Sequence, residues 1–168
     1  VDSPDELPDF ELYLLRHAHA GSAANWDGPD AERPLSPKGR RQAQQLGAFL
    51  AERAFAPDAI VSSPKLRARQ TAQVVADAIG IAVTIDERLG RPLELDDVAD
   101  LVARAGGTSI VLVGHDPDFS ELCAAFAGAQ YLPMKKGAMA RIDLAVPIAA
   151  GNGVLRWMVT PDLLTDRS

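Results

Sequence analysis

Short apolar runs alternate along the chain with segments whose apolar positions recur every three or four residues. Residues 10–15, 58–61, 81–85 and 108–113 are mostly apolar and bounded by polar or turn residues, the pattern of strands buried on both faces. Between them lie helical patterns. Ser36 reads as an N-cap with Pro37 at the first helical position, and Ala43, Leu46, Gly47, Leu50 and Ala54 then share one face. A second helix is expected from Pro64, with Ala68, Ala72, Val75, Ala76 and Ile79 inward and Gly80 as its stop. Residues 93–105 form a weaker amphipathic helix pattern, and 118–127 read as the helix after the fourth strand. Two more strand candidates, 139–146 and 154–160, flank the turn Gly151-Asn152-Gly153 and are expected to extend the sheet as a hairpin. This alternation predicts one α/β domain over residues 10–168 with a mainly parallel central sheet. Residues 1–9, polar and proline-bearing, are expected to form a flexible N-terminal arm.

The 168 residues suffice for one domain with a substantial core. A formal net charge of -6 argues against a general nucleic-acid binder, although a few focused arginines can still receive an anionic substrate. No apolar run is long enough for a membrane-spanning helix, so no membrane partner is expected. Cys123 is the only cysteine. With no signal-peptide pattern at the start, this suits a reducing, cytoplasmic location.

Three of the predicted strands run directly into unusual polar residues. The first meets Arg16-His17-Ala18-His19, the second Ser62-Ser63-Pro64-Lys65-Leu66-Arg67, and the fourth Gly114-His115-Asp116-Pro117. In open α/β sheets ligands bind beyond the carboxyl ends of the strands, so parallel strands would gather these segments at one edge. Arginine offers a planar fork of donors suited to phosphate oxygens. Phosphoryl transfer is largely positioning and charge stabilisation, and a neutral histidine in line with phosphorus can serve as nucleophile. Nearby guanidinium groups would help to keep that histidine neutral.

Leu14-Leu15-Arg16-His17-Ala18, Ser62-Ser63-Pro64-Lys65-Leu66-Arg67-Ala68-Arg69-Gln70-Thr71-Ala72 and Val113-Gly114-His115 resemble, in order and spacing, the three motifs of the histidine phosphatase (phosphoglycerate-mutase-like) superfamily. Arg33-Pro34-Leu35-Ser36-Pro37-Lys38-Gly39 resembles the segment before its first helix. The resemblance implies a three-layer α/β/α sandwich. It also implies His17 as phosphoacceptor, with Arg16, Arg67 and His115 completing a phosphate pocket and no cofactor. Arg-His-Ala, His115-Asp116-Pro117 and Lys135-Lys136-Gly137-Ala138-Met139-Ala140 are similar to the SixA-type phosphohistidine phosphatases of that family.

Family members active on phosphoesters usually place a glutamate acid after the third strand, following a leucine. Here Leu89 is followed by Gly90 and Arg91, while Glu87 precedes it. An alkoxide needs a proton from a positioned acid, whereas phosphorylated imidazole can draw one from solvent, so the missing glutamate favours a P–N substrate. The expected partner is thus a phosphohistidine-bearing protein or a phosphorylated small molecule. The alternatives are a phosphomonoesterase for small phosphoesters, with Asp27, Asp30, Glu32, Asp116 or Asp118 as acid, and a non-catalytic phospho-ligand binding module.

Other positions carry weaker expectations. His19 either lines the pocket mouth and binds substrate or merely packs. Arg33 either reaches substrate or pins the loop over residues 21–34 through ion pairs. A metal site of His17, His19, His115 and Asp116 is disfavoured by the adjacent arginines. Arg69 is expected at the surface, and Cys123 and Trp157 in the core. Trp26 is expected over the pocket or at a partner surface, and Gly114 where backbone approaches a ligand or a neighbouring strand.

Overall fold

A computed structural model describes residues 6–165. Its six strands are β1 (Phe10–Arg16), β2 (Ala59–Ser62), β3 (Val83–Ile85), β4 (Ser109–Gly114), β5 (Met139–Leu144) and β6 (Gly153–Val159). They form one sheet in the order β3-β2-β4-β1-β5-β6. The pairs β1·β4, β4·β2 and β2·β3 are parallel, and β5 runs antiparallel to both β1 and β6. Five strands therefore share one direction, and the terminal hairpin extends the sheet as its turn signal predicts.

Helices cover both faces. They are α1 (Pro37–Glu52), α2 (Leu66–Ile79), α3 (Leu95–Arg104), α4 (Asp118–Ala127) and a short α5 (Pro161–Leu164). Because strand side chains alternate, Tyr13, Leu15, Val111 and Val113 meet Leu46 and Leu50 of α1 and Ala68, Ala72 and Val75 of α2. Leu12, Leu14, Ile110 and Leu112 meet Val98 and Leu101 of α3 and Phe119, Cys123 and Phe126 of α4 on the other face. The central strands are buried on both sides, which is why they read as continuous apolar runs. This is the three-layer α/β/α sandwich.

Several expected boundaries move for local reasons. The second helix begins at Leu66 because Ser63–Lys65 form a turn in which the Lys65 N–H donates to Ser63 Oγ at 3.2 Å. The third strand loses Ile81, whose N–H closes the end of α2 on the Ala76 carbonyl at 3.2 Å, beside Gly80 in the left-handed region. The fifth strand stops at Leu144, since the Val146 N–H donates to the Asp9 carboxylate at 2.8 Å instead of to the sheet. α3 starts at Leu95, behind a capping box between Glu94 and Asp97. Ala54, expected inward, is exposed because α1 ends at Glu52 and Ala54 adopts a φ of 54° in the turn beyond. Of the arm expected over residues 1–9, residues 1–5 lie outside the described residues.

Gly114 is close-packed against a side chain: a Cβ there would lie 2.7 Å from Cζ of Phe119. Gly39 is the tighter case, since a Cβ would run into the His19 carbonyl oxygen. That contact lets the first turn of α1 sit directly on the chain leaving β1. Gly39→Ala is expected to destabilise the fold by about 1–3 kcal/mol, as overpacking does. Denaturant unfolding checks this; an unchanged midpoint would show that the approach is not required.

Candidate active site

The carboxyl ends of three neighbouring strands are in register. Arg16 pairs with Gly114, and Ser62 with Val113. The ladders continue one residue past the strands: the His17 N–H donates to the Gly114 carbonyl at 3.0 Å, and the Ser63 N–H to the Val113 carbonyl at 2.9 Å. His17, Ser63 and His115 are therefore set side by side by the sheet itself. The His17 and His115 rings lie with centroids 5.1 Å apart. Arg67 joins them from the first turn of α2.

His17 is almost fully buried. Its Nδ1 lies 2.7 Å from the Ala18 carbonyl oxygen. A carbonyl can only accept, so Nδ1 carries the proton and Nε2 of the neutral ring holds the free lone pair. Burial foremost lowers the His17 pKa to about 3; the charges of Arg67, Arg16 and Lys136 push the same way, against the Ala18 hydrogen bond. The next residue is also fixed, since the Ala18 N–H donates to Thr71 Oγ1 at 3.1 Å, and that hydroxyl donates to the Arg67 carbonyl at 2.8 Å. Thr71 thus ties the β1 exit to the turn that carries Arg67.

His115 stands with Nε2 at 2.7 Å from Oγ of the fully buried Ser63. Ser63 Oγ already accepts from the Lys65 N–H, so its own proton is free for Nε2. This assignment leaves the His115 Nδ1 protonated and able to donate. Burial, then His17, Arg67 and Lys65, lower the His115 pKa to about 3.

Among the described residues, three buried side-chain nitrogens have no protein partner: Nε of Arg16, Nε of Arg67 and Nδ1 of His115. An unsatisfied buried donor costs about 1–3 kcal/mol, and such groups in native proteins call for a functional explanation. All three belong to the residues that the motifs single out. Such nitrogens on three residues that neighbour a neutral imidazole suit an oxyanion.

Terminal nitrogens of both guanidinium groups are engaged: Nη1 of Arg16, and Nη1 and Nη2 of Arg67. Arg16 Nη1 donates to the Met134 carbonyl at 2.6 Å and lies 3.4 Å from the Asp116 carboxylate. Arg67 donates from Nη1 to the Asp30 carbonyl at 2.8 Å and from Nη2 to its carboxylate at 3.0 Å. The loop thus brings a carboxylate onto the fork of a phosphate-binding candidate. Arg33 donates to the Ala20 and Gly21 carbonyls and to Asp30, so it pins the loop. The His19 Nδ1 lies 2.6 Å from Ser36 Oγ, and its side chain lines a neighbouring cavity together with Arg16. Trp26 folds back, donating to the Pro29 carbonyl at 2.9 Å, and lines a small hollow within its own loop instead of covering His17. Arg69 is exposed. Cys123 is fully buried in the core, where burial raises its thiol pKa to about 11. Trp157 packs half-buried near Tyr13, with ring centroids 5.9 Å apart.

Of the carboxylates offered as acids, Asp30 and Asp116 are held by other groups. Asp30 is held by Arg67 and Arg33, whose charges keep its pKa below the usual range despite the opposing effect of burial. Asp116 accepts from the N–H and Oγ of Ser120. Asp27, Glu32 and Glu87 are exposed. Gly90 reaches the site, for a Cβ on it would lie 2.9 Å from Pro64 and 3.5 Å from Ser63 Oγ, but it brings no carboxyl group. Among the described residues no three His, Cys, Asp or Glu side chains group as a metal site.

Sequence reading marks His17, Arg16, Arg67 and His115 but assigns no task to Ser63, Thr71 or the Met134 carbonyl. The doubled serine at the end of β2, fully buried beside a strand terminus, was the only signal for Ser63.

Depressed histidine pKa values give a direct check. A ring with a pKa near 3 when folded and about 6.5 when unfolded contributes stability above pH 6.5 that is lost as pH falls toward 3. NMR of labelled histidines is expected to show His17 and His115 neutral at pH 5, while the more exposed His19 titrates above them. Titration of His17 near 6.5 would contradict the burial argument.

Comparison with known proteins bears on the family and the fold. A family model described as histidine phosphatase superfamily (branch 1) matches residues 12–90. An uncharacterized protein of Picosynechococcus sp. is 34% identical over 134 residues, covering 76% of this chain and 81% of that protein. Phosphohistidine phosphatase SixA of Escherichia coli is 25% identical over 159 residues, covering 90% of this chain and 94% of that protein. Among solved structures, a candidate phosphohistidine phosphatase SixA from Agrobacterium tumefaciens superposes with a TM-score of 0.74 at 27% identity, over 91% of this chain and 99% of that one. A protein histidine phosphatase SixA complexed with tungstate gives a TM-score of 0.79 at 22% identity, over 93% and 100% of the two chains.

Proposed function

The chain belongs to the histidine phosphatase superfamily, and from that premise we propose that it is a phosphatase which hydrolyses phosphohistidine through a covalent intermediate on His17. The observation that carries the reading is that, among the described residues, Arg16 Nε, Arg67 Nε and His115 Nδ1 are buried without a partner on residues that neighbour a histidine whose Nε2 is free.

In the first step the lone pair of His17 Nε2 attacks phosphorus and the bond from phosphorus to the substrate nitrogen breaks. The leaving imidazole departs neutral once its other nitrogen has taken a proton from solvent. Arg16, Arg67 and His115 donate to the equatorial oxygens as charge shifts among them. In the second step water attacks phosphorus, the P–Nε2 bond breaks, and the water's proton leaves to solvent with phosphate as product. His17 returns to the neutral form that its burial favours.

The preference for a P–N bond rests on leaving-group chemistry. Phosphoryl transfer between two imidazole nitrogens is nearly balanced in energy, whereas expelling an alkoxide needs a placed acid. Asp30 and Asp116 are committed to arginines and to Ser120, which speaks against either as that acid. The phosphoester reading retains one supporting observation: burial raises the pKa of Asp118, at the start of α4, as an acid requires. The single, fully buried cysteine supports a reducing, cytoplasmic setting, and the net charge of -6 supports a partner other than nucleic acid.

Brief incubation with labelled phosphohistidine is expected to leave an acid-labile, base-stable adduct, and rates on phosphohistidine to exceed those on an alkyl phosphate. His17→Ala should remove the adduct and lower kcat by about a thousandfold or more. Unchanged turnover in His17→Ala would overturn the mechanism, and faster alkyl phosphate hydrolysis would overturn the substrate class.

A further inference from the structure

Beside the phosphate-binding candidates lies a cavity of about 740 Å³ that the mechanism does not use. Arg16 and His19 form the wall it shares with the site; Lys38, Arg41, Gln42 and Gln45 line it from α1, and Lys135 and Lys136 from the turn before β5. The α1 residues fall at i, i+3, i+4 and i+7, so they make one stripe about 10 Å long. Asp162 of α5 is the one carboxylate in the lining, and it lies 3.7 Å from Lys135 Nζ. Five cationic side chains thus face one anion in a protein whose net charge is -6.

The arrangement works against the stability of the chain. Lys38 sits in the first turn of α1, at the positive end of the helix dipole, with no acidic residue in that turn. Lys136 is half-buried, and burial first, then Arg16, Arg33, Arg67 and Lys38, lowers its pKa. Its turn is fastened to the catalytic strand, because the Gly137 N–H donates to the carbonyls of Arg16 and His17 at 3.1 and 3.0 Å. Cations that repel one another on three separate elements, at the edge of an anion site, mark a place for more negative charge than one phosphoryl group brings.

We propose that this basic cavity docks acidic side chains flanking the phosphohistidine of a polypeptide substrate. The proposal rests on the phosphohistidine reading above and adds the chemistry of the partner. A polypeptide is favoured over a small polyanion because Lys38, Arg41 and Lys135 are exposed on long flexible stems, strung along a helix instead of caged around one point. Exposed charges of this kind steer an oppositely charged partner and raise its association rate in a salt-dependent way.

The test uses short peptides with either Asp/Glu or Asn/Gln flanks, each made with phosphohistidine and with phosphoserine at the centre. The acidic phosphohistidine peptide is expected to exceed its neutral counterpart in kcat/KM by about tenfold at low ionic strength, through KM, and to lose the advantage as salt rises. K38Q/R41Q/K135Q should bring the acidic-to-neutral ratio close to one. Fluorescence anisotropy of the unphosphorylated acidic peptide reads the same interaction without turnover, with binding expected for the wild type and weakened in the triple variant.

A ratio of one in the wild type, or a ratio unmoved by the triple variant, would overturn the proposal. So would binding of inorganic pyrophosphate that the triple variant loses, without any preference for acidic flanks. Phosphoserine peptides turned over faster than phosphohistidine peptides would sink the P–N reading, while the acidic-to-neutral ratio within each pair still decides the docking surface.

Discussion

The parallel register among β1, β4 and β2 is the constraint on which the site depends. It sets Arg16 against Gly114 and Ser62 against Val113, then continues through the backbone bonds of His17 and Ser63. A slip of one residue in either pairing would turn each side chain to the opposite face and separate the two imidazoles. The cores on the two faces of the sheet oppose such a slip, because Leu12, Leu14, Ile110 and Leu112 belong to one and Tyr13, Leu15, Val111 and Val113 to the other. Hydrophobic burial therefore positions the candidate site residues as directly as any polar contact does.

Onto that scaffold the site adds groups held in states that water would not favour. Burial keeps both imidazoles neutral; the Ala18 carbonyl fixes the His17 proton on Nδ1, and a Ser63 hydroxyl donating to Nε2 leaves the His115 proton on Nδ1. The result is a nucleophilic lone pair on one ring and a donor on the other. The guanidinium groups are anchored through their terminal nitrogens to Met134 and Asp30, leaving each Nε unspent. Asp30 also brings negative charge to Arg67, so an arriving oxyanion has to share or displace it there.

Much of this was legible in the sequence because it lies at strand ends. The apolar runs locate the strands, the strand direction brings Arg16-His17 and His115 to one edge, and Pro64 followed by Arg67 marks a helix beginning at that edge. Features that arise only when distant segments meet were not legible. The Ser63–His115 contact spans two strands; the Asp30–Arg67 pair depends on how a loop returns; the basic cavity is assembled from a strand end, a helix face and a turn. Trp26 shows the limit from the other side. Its indole donates to the carbonyl of Pro29, three residues on, which folds it back onto its own loop. Gly114 likewise makes room for Phe119, a packing need that spacing alone does not reveal.

The central claim is that the unspent donors serve one oxyanion in line with His17. A crystal structure with bound vanadate tests it most directly. The metal oxyanion is expected within bonding reach of His17 Nε2, with its oxygens at roughly 2.7–3.1 Å from Arg16 Nε, Arg67 Nε and His115 Nδ1. Vanadate bound away from His17, or bound there with those three nitrogens turned elsewhere, would contradict the account.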